Sequence, residues 1–420
     1  MQKPTILIIA GGENSRFAPI NTKTHKGFLS LAGKPIVERA FESLKKQGFV
    51  DVVLVVSPKD YDNAGFSEYL HTHDFGLNIQ VILQEKATGM GDTILLAKEY
   101  LGENFILAAP YYSDLGSISE RLWLKQQETK ASCVFSGTQT TNPELYGILK
   151  FDETDKSRVV GVVEKPAKGT EPSDIKIDSV YLLNNTFIQE LSETKQTEYS
   201  LEDAITSFAE KNHITWTTNK GHIQSLKYPW HLFNLFNQVM PTQKTTFAQS
   251  AQIADTAIFD DSNGPVVVDE NATIGDFAKL VGPCYVGKNC LVGDYSFVRG
   301  SSLEKGATVG ANTEVVRSIL FENSSIHYGY LADSILGHAT KIGAGLITAN
   351  KRLDRKNIRI EVKKALINTE TNAIGIITGE NVNIGIRVNT MPGITIGANA
   401  EIHPGVTITR NVPAKEIIKK

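Results

Sequence analysis

The sequence predicts an α/β domain with a doubly wound sheet over residues 1–240, followed by a parallel β-helix of hexapeptide repeats over residues 250–420. Through about residue 235, short apolar runs rich in β-forming residues alternate with amphipathic helical patterns, which is typical of parallel α/β sheets. In the second half, aliphatic residues recur every six positions, which is typical of a β-helix because each hexad forms one flat face. The 420 residues are enough for two domains, each with its own core.

The first elements predict a βαβ unit. Residues 5–10 predict a strand, residues 35–47 an amphipathic helix that ends at Gly48, and residues 52–57 a second strand. Parallel strands need a crossover of this length, and its expected hand is right-handed. Further strands are predicted at residues 79–83, 105–109 and 132–136, with a helix at residues 92–100. Sheets of this kind bind ligands beyond the carboxyl ends of their strands.

The six-residue period holds in two separate runs. These runs are Ile274, Leu280, Val286, Val292 and Val298, and then Ile384, Thr390, Ile396, Ile402 and Ile408. An α-helix has a period of 3.6 residues and cannot produce this pattern. Residues 351–373 are rich in Lys and Arg and out of phase, so they predict a loop that projects from the β-helix.

Composition narrows the classes of function. The 43 Lys and Arg residues against 46 Asp and Glu give a net charge of -3 without a basic run, so we expect neither nucleic acid nor a membrane surface as partner. No run approaches 18 apolar residues, so we expect neither a membrane span nor a signal peptide. Cys133, Cys284 and Cys290 lack CxxC spacing, which argues against disulfides or structural zinc. These features predict a cytoplasmic protein that acts on small molecules.

A glycine-rich loop follows the first predicted strand. Gly11 and Gly12 let the backbone approach a ligand closely and turn consecutive N–H groups toward an anion. Arg16 adds a planar cation suited to bidentate phosphate contact. Lys26 follows, and residues 33–35 (Gly-Lys-Pro) open the first helix. This pattern predicts a phosphate-binding site.

The loop begins a longer ordered set of motifs. The set continues through Gln84, Gly89, the Tyr146-Gly147 pair, residues 162–166 (Val-Val-Glu-Lys-Pro) and residues 228–230 (Tyr-Pro-Trp). In this order the chain resembles the sugar-1-phosphate nucleotidyltransferases, which implies a Rossmann-like nucleotidyltransferase domain. Through residues 333–337 and 343–350, the second half is similar to the left-handed β-helix of the bifunctional N-acetylglucosamine-1-phosphate uridyltransferases and their archaeal relatives.

The resemblance implies that a sugar-1-phosphate oxygen attacks the α-phosphorus of a nucleoside triphosphate, with Mg²⁺ as cofactor and pyrophosphate as leaving group. Both reactants are polyanions, so the protein has to neutralise negative charge. By resemblance, Arg16 and Lys26 are the catalytic cations. The implied nucleotide-binding residues are Gly11, Gly12, Gln84 and Gly89, and the implied sugar-phosphate-binding residues are Gly147, Glu164 and Lys165.

Two positions depart from the family's metal-binding pattern. The aspartates that hold Mg²⁺ in the family correspond to Tyr111 and Ser225. Asp114 is an alternative carboxylate, although a helix N-cap is an equally good interpretation of it. Two alternatives to nucleotidyl transfer therefore stay open. One is an acetyltransferase with an inactive first domain, and the other is a non-catalytic subunit that binds sugar nucleotides.

In the second half, the resemblance implies an acetyltransferase that moves an acetyl group from acetyl-CoA to an amino sugar phosphate. His327 is the candidate general base, and Tyr330 and Asn350 complete the candidate site. A lysine that the family carries near this site corresponds to Ala373. Such coils associate as trimers in the family, so we expect a homotrimer, and a purely structural trimerisation spine is the alternative.

Overall fold

The computed structural model describes residues 2–20, 24–63, 66–86, 88–219 and 226–419. The chain divides into two compact units. The sheet unit contains the described residues of 2–13, 24–28 and 36–219, and the solenoid unit contains those of 14–20, 29–35 and 226–419. The domain boundary that the sequence predicts at residues 240–250 stays a prediction.

The first half of the chain alternates short strands and helices. In chain order they are β1 Thr5–Ala10, β2 Ser30–Leu31, β3 Lys34–Pro35, α1 Ile36–Lys46, β4 Asp51–Val56, α2 Pro58–Asn63, α3 Phe66–Thr72, β5 Asn78–Leu83, α4 Met90–Ala97, β6 Asn104–Ala108, α5 Leu115–Thr129, β7 Cys133–Gln139, β8 Gly147–Phe151, β9 Val159–Glu164, β10 Ile175–Asn184, α6 Asn185–Glu193, α7 Ser200–Lys211, β11 Ile214–Thr218 and α8 His231–Val239. Single 3-10 turns lie at Ser15–Phe17, Lys26–Phe28, Lys98–Tyr100, Pro143–Leu145 and Met240–Thr242.

The main sheet has the order β11-β7-β10-β6-β1-β4-β5, and β8 and β9 extend it beside β10. The pairs β1–β4, β1–β6, β4–β5 and β11–β7 are parallel, whereas β10 runs antiparallel to β6 and β7. The doubly wound α/β class is therefore confirmed, with a mixed sheet. Because β10 is reversed, its first residues lie at the carboxyl end of β7, where Ile175 pairs with Gln139.

Side chains of the sheet alternate between two cores. Ile6 and Ile8 pack in the cluster that contains α1 and α5 residues, whereas Leu7 packs in the cluster that contains α4, α6 and α7 residues. This alternation follows from the two-residue period of a strand. Both faces of the sheet are thus covered, and ligands have access at the strand ends.

The solenoid unit stacks short strands that are parallel except in the hairpin of Arg359–Val362 with Ala365–Asn368. They are Thr246–Phe247, Gln252–Ile253, Ile258–Asp260, Val266–Val268, Thr273–Ile274, Lys279–Val281, Cys284–Val286, Leu291–Val292, Phe297–Arg299, Ser302–Leu303, Thr308–Val309, Glu314–Val316, Ile319–Leu320, Ser325–Ala332, Ile335–Leu336, Lys341–Thr348, Arg359–Val362, Ala365–Asn368, Ile376–Thr378, Asn383–Ile384, Asn389–Thr390, Ile394–Ile396, Glu401–Ile402, Thr407–Ile408 and Ile417–Ile418. The hexad residues are buried in one continuous core, as the sequence predicts. Ile274 pairs with Val292, so three hexads form one coil. This arrangement is consistent with the left-handed β-helix.

Residues 351–373 differ from the prediction. They contain an antiparallel hairpin of Arg359–Val362 and Ala365–Asn368, so the segment is not a plain loop. Ile358 and Ile360 are buried, which explains why this segment is ordered into strands.

Two further predictions concern membranes and cysteines. Among the described helices, none is long and apolar enough to cross a bilayer. Cys133 in the sheet unit and Cys284 and Cys290 in the solenoid unit are free thiols, and all three are buried. Burial raises the pKa of each thiol, to about 12 for Cys284 and Cys290.

Candidate active site

The glycine loop leaves the carboxyl end of β1 beside Gln84. A Cβ added to Gly11 would lie 2.9 Å from Gln84 Oε1, so a side chain here would displace the Gln84 amide. Gln84 is buried, its Nε2 donates to Asp92 Oδ2 at 3.0 Å, and its Oε1 accepts from Thr93 Oγ1 at 3.0 Å. A Cβ at Gly12 would meet open space. The structure therefore brings Gly11 and Gln84 together and fixes the Gln84 amide.

Gly89 precedes helix α4 and has a φ of 140°, a backbone angle that residues with a side chain rarely adopt. A Cβ there would lie 3.1 Å from Thr197 O. Gly89 thus allows α4 to begin close to the segment before α7.

Lys26 lies beside Tyr111, which the sequence resemblance aligns with one of the family's metal-binding aspartates. Its ammonium is 5.1 Å from the centroid of the Tyr111 ring, which is a cation–π geometry. Burial raises the pKa of Tyr111 to about 12, so the phenol is neutral near pH 7. A Cβ at Gly27 would lie 2.6 Å from Pro110 Cγ. The turn that carries Lys26 therefore packs against the Pro110-Tyr111 segment after β6.

His25 is buried in the same turn. Its Nδ1 accepts a hydrogen bond from the Gly27 N–H at 3.1 Å. Burial, and secondarily the charge of Lys26, lower the pKa of His25 well below its usual value. The imidazole is neutral, so the positive charge of this turn belongs to Lys26.

The described residues do not fit the Mg²⁺ ligand set of the family. Within the described ranges, no group of three or more His, Cys, Asp or Glu side chains could hold a metal ion. Asp114 occupies the N-cap position of α5 without a side-chain capping bond, and burial raises its pKa. Tyr111 offers a neutral phenol in place of a carboxylate, and Ser225 lies outside the described residues. Mg²⁺ prefers oxygen ligands from carboxylates and phosphates, and Asp114 alone supplies one carboxylate.

Strands β8 and β9 bring the three sugar-phosphate candidates together. Gly147 pairs with Glu164 across the strands, and a Cβ at Gly147 would lie 2.9 Å from Glu164 Oε2. Lys165 Nζ is 3.0 Å from Glu164 Oε1. Lys165 has a φ of 46°, and its N–H donates to Tyr146 O at 3.0 Å. Gly147, Glu164 and Lys165 therefore form one polar cluster, which we call the sugar cluster.

Sequence reasoning missed Glu202, which lies in the first turn of α7 and reaches the sugar cluster. Burial raises its pKa, Glu164 raises it further, and Lys165 lowers it. The pKa of Tyr181 is raised by burial and then by Glu202 and Glu164. In the sequence, the one indication that Glu202 could approach the site was its position next to Leu201, on a helix whose apolar face is buried.

Asp178 on β10 is buried within the sheet unit. Its Oδ2 accepts from Ser136 Oγ and Thr138 Oγ1, both at 2.9 Å. Burial raises its pKa despite these hydrogen bonds. The next residue, Ser179, has a φ of 52° at the register shift between β10 and β7.

Arg16 belongs to the solenoid unit. It lies in the 3-10 turn Ser15–Phe17, where Phe17 is buried and Arg16 is exposed. The turn therefore presents a guanidinium to solvent while its aromatic neighbour fixes the backbone.

The Gly-Lys-Pro motif at residues 33–35 is bound by a buried carboxylate of the solenoid unit. Glu304 accepts from Ala32 N–H at 2.8 Å and from Gly33 N–H at 3.1 Å. Ser302 Oγ donates to the same carboxylate at 2.6 Å. Tyr285 fills the space beside Gly33, where a Cβ would lie 2.2 Å from its hydroxyl.

Two of the three acetyltransferase candidates, Tyr330 and Asn350, lie near Asp333, which is buried. Arg317 donates to both carboxylate oxygens of Asp333, at 2.6 and 2.7 Å, and Asn350 Nδ2 donates to Oδ2 at 2.5 Å. The pKa of Tyr330 is raised by burial and by Glu314 and Asp333. Sequence reasoning missed Arg317, although Val316 and Ala332 pair across adjacent coils and place Arg317 directly beside Asp333.

His327 shares the strand Ser325–Ala332 with Tyr330 but is not joined to this cluster. Its ring is exposed and has no hydrogen-bond partner in the described part of the chain. A shift of register at Tyr328 and Gly329 separates His327 from Tyr330. An open groove of about 410 Å³ lies on the neighbouring coils, and its lining includes Lys341 and His403.

A doubly wound sheet with a glycine loop after β1, joined to a hexapeptide solenoid, defines a nucleotide-binding α/β protein with a β-helix. The nucleotidyl transferase family model matches residues 5–222, just over half of the chain, and the hexapeptide repeat of succinyl-transferase matches residues 283–316 and 375–410. The chain belongs to the nucleotidyl transferase family. The resemblance inferred from the motifs is therefore confirmed.

Two relatives match along nearly the whole chain. The bifunctional sugar-1-phosphate nucleotidylyltransferase/acetyltransferase of Sulfurisphaera tokodaii is 28% identical over 394 residues, which is 92% of this chain and 92% of that protein. The bifunctional protein GlmU of Methanococcus maripaludis is 29% identical over 393 residues, which is 92% of this chain and 90% of that protein. Among solved structures, UDP-glucose pyrophosphorylase from Acinetobacter baumannii has a TM-score of 0.50 at 18% identity, covering 58% of this chain and 95% of that one, and shows the fold alone.

Proposed function

We propose that this protein transfers the nucleotidyl group of a nucleoside triphosphate to a sugar 1-phosphate. The sugar phosphate oxygen attacks the α-phosphorus, the bond from that phosphorus to the bridging oxygen breaks, and pyrophosphate leaves. The observation that carries the proposal is the position of Lys26, whose ammonium lies over the neutral ring of Tyr111 on the segment after β6. A cation and an aromatic ring attract each other, so Tyr111 helps to hold the Lys26 ammonium beside the segment after β6, where polyanionic substrates need positive charge.

The remaining roles follow the same chemistry. Arg16 and the backbone of Gly11 and Gly12 contact the triphosphate, since guanidinium and N–H groups stabilise the charge that develops on the leaving pyrophosphate. Gln84 and Gly89 lie against the base. The sugar cluster binds the second substrate, with Lys165 on its phosphate and Glu164 on its hydroxyl groups.

Nucleotidyltransferases similar to GlmU generally use a divalent metal. Mg²⁺ would be carried to the site on the triphosphate, since this ion readily keeps phosphate and water ligands. Within the described residues, no group of three or more His, Cys, Asp or Glu side chains could hold it. The metal supplies positive charge to the phosphate oxygens. Lys26 and Arg16 supply the protein's own share of that charge.

Pyrophosphate release tests the proposal. Purified protein is incubated with Mg²⁺, single triphosphates including UTP and dTTP, and single sugar 1-phosphates. We expect release with at least one pair, loss of that activity in Arg16→Ala, and no loss in Arg359→Ala, which removes an exposed guanidinium from the hairpin. Triphosphate binding without release for any pair would contradict nucleotidyl transfer and favour a non-catalytic subunit that binds sugar nucleotides.

A second activity, acetyl transfer from acetyl-CoA to an amino sugar phosphate, is favoured by the polar cluster around Asp333. Free thiol release from acetyl-CoA with glucosamine 1-phosphate measures it. With His327 as the general base, His327→Ala abolishes the release and His338→Ala, at another exposed histidine of the solenoid, does not. Absence of thiol release from the native protein would favour a purely structural role for the solenoid.

The solenoid also mediates a homotrimer in this proposal, and light scattering that gives three times the mass of one chain checks it. The reaction is placed in the cytoplasm, because nucleotide substrates are available there and the three cysteines are unpaired.

A further inference from the structure

Glu202 has no role in the proposed reaction, although it lies near the sugar cluster. It is half-buried in the first turn of α7, and its Oε2 is buried with no hydrogen-bond partner among the described residues. A buried carboxylate oxygen without a donor is unfavourable and calls for an explanation. A ligand that brings its own donor would supply one.

Apart from Asp203 in the same helical turn, the charged groups near Glu202 belong to the sugar cluster. Glu164 and Lys165 act on Glu202 electrostatically, and the Tyr181 hydroxyl, which is hydrogen-bonded to Ser179, is influenced by both Glu202 and Glu164. Helix α7 packs directly on β9, which ends at Glu164. The end of β9 and the first turn of α7 therefore place two carboxylates and one ammonium together, and β10 adds the Tyr181 hydroxyl.

This charge arrangement has a consequence when a sugar phosphate binds. Lys165 Nζ pairs with Glu164 in the structure, 3.0 Å from Oε1. When Lys165 turns to the phosphate of the ligand, Glu164 loses that partner and two carboxylates face the sugar. Hydroxyl groups are neutral donors, whereas an ammonium satisfies carboxylates with charge-assisted hydrogen bonds, which are about twice as strong.

We propose that Glu202, acting with Glu164, selects an amino sugar 1-phosphate whose amine is free and protonated. Such a ligand carries a phosphate for Lys165 and an ammonium for the carboxylates, so its charges complement the cluster at both ends. Acetylation of the amine removes the positive charge and adds bulk, so the acetylated sugar is the poorer ligand. This inference rests on the assignment of the sugar cluster to the sugar phosphate in the proposed function.

The test measures binding without triphosphate. Calorimetric affinities of glucosamine 1-phosphate, N-acetylglucosamine 1-phosphate and glucose 1-phosphate are compared for the native protein, Glu202→Gln and Asp203→Asn. Asp203 is the matched control, because it is an exposed carboxylate in the same helical turn and its change alters the helix dipole interaction equally. Thermal melting of each variant verifies folding.

We expect the native protein to bind glucosamine 1-phosphate at least about tenfold more tightly than the other two sugars, in line with one charge-assisted hydrogen bond. Glu202→Gln should remove this preference, while Asp203→Asn retains it. Equal affinities in the native protein, a measurement that needs no variant, would overturn the inference, and so would a preference that survives in Glu202→Gln.

Pyrophosphate release separates this inference from the proposed function. If release occurs with equal kcat/KM for all three sugars, the selectivity is refuted while nucleotidyl transfer stands. If the binding preference is present but no triphosphate supports release, nucleotidyl transfer is refuted while the selectivity stands.

Discussion

Lys26 in the sheet unit and Arg317 in the solenoid unit are two cations in candidate sites, and they face different groups. Lys26 lies 5.1 Å from the centre of a neutral tyrosine ring, whereas Arg317 makes two hydrogen bonds, of 2.6 and 2.7 Å, to one aspartate. The ring attracts the ammonium through its quadrupole and carries no formal charge of its own. The carboxylate cancels the guanidinium charge and fixes its orientation. The aromatic contact holds an ammonium at the segment after β6, and the carboxylate positions neighbouring groups such as Asn350.

The largest effect is expected from Lys26→Ala. Removing a cation that stabilises the charge of the leaving pyrophosphate should lower kcat for nucleotidyl transfer by about 10² to 10³-fold. Steady-state pyrophosphate release measures it, and Lys46→Ala, at the exposed end of α1, should leave kcat unchanged. A loss below tenfold would show that Lys26 is not a catalytic cation.

Asp333→Asn should weaken the hydrogen bonds by which Asp333 positions Arg317 and Asn350. One charged acceptor of Arg317 and Asn350 is lost, so the free energy of unfolding should fall by about 1–3 kcal/mol, nearer the lower limit because Arg317 is half exposed. Urea unfolding measures the change.

The matched control is Glu314→Gln. Its ion pair with Arg299 also joins adjacent coils, but its length is 3.4 Å and neither partner is buried, since the two side chains are 40% and 38% exposed, so less than about 1 kcal/mol should be lost. Equal losses for the two variants would contradict the distinction between a positioning pair and a surface pair.

Tyr111 tests whether a neutral ring is what Lys26 requires. Tyr111→Ala should weaken triphosphate binding by about tenfold, because one cation–π contact is lost, whereas Tyr111→Phe should change it by less than about twofold. The pH profile of Tyr111→Phe should match that of the native protein up to pH 10, since the pKa of the phenol is about 12. A Phe variant as weak as the Ala variant would assign the effect to the hydroxyl instead.

A smaller effect is expected from the titration of His25. Its pKa is lowered in the folded protein, so the unfolded chain takes up a proton at higher pH than the folded chain does. Stability contributed by the neutral ring is present above about pH 6.5 and is lost as the pH falls below that value. Melting temperatures between pH 7.5 and 5 measure this, and His25→Asn, which keeps an acceptor for the Gly27 N–H, should show a shallower slope. If melting temperature falls with pH equally steeply in the native protein and in His25→Asn, the loss of stability does not come from the protonation of His25.

Repetition explains which parts of the fold were predictable. Ile274 and Ile402 are buried because every hexad places one residue at the same inward position, and this regularity is visible in the sequence. The direction of β10 was not visible, because a strand's apolar pattern is the same in either direction. The hairpin within residues 351–373 was missed because its turn consists of Lys363 and Lys364, both with positive φ, where Asn-Gly is the usual signal.

The residues of the candidate sites also fall into two groups: those that a sequence motif contains, and those that only the folded structure brings to the site. Gly11, Lys26 and Glu164 stand in ordered motifs, so the sequence proposed them, and their roles stay predictions. Glu202 lies near the sugar cluster because α7 packs on β9. The contact of Lys26 with Tyr111 joins residues that are 85 positions apart in the sequence. Contacts of this kind depend on tertiary packing, which no local pattern encodes.

The buried cysteines give each unit its own chemical reporter. Cys133 lies in β7 of the sheet unit, and Cys284 and Cys290 lie inside the solenoid coils. A thiol with a raised pKa and no solvent access resists alkylating reagents until its surroundings open. Alkylation rates at Cys133 and at the solenoid pair therefore report the opening free energies of the two units separately, in one native sample and without an added label.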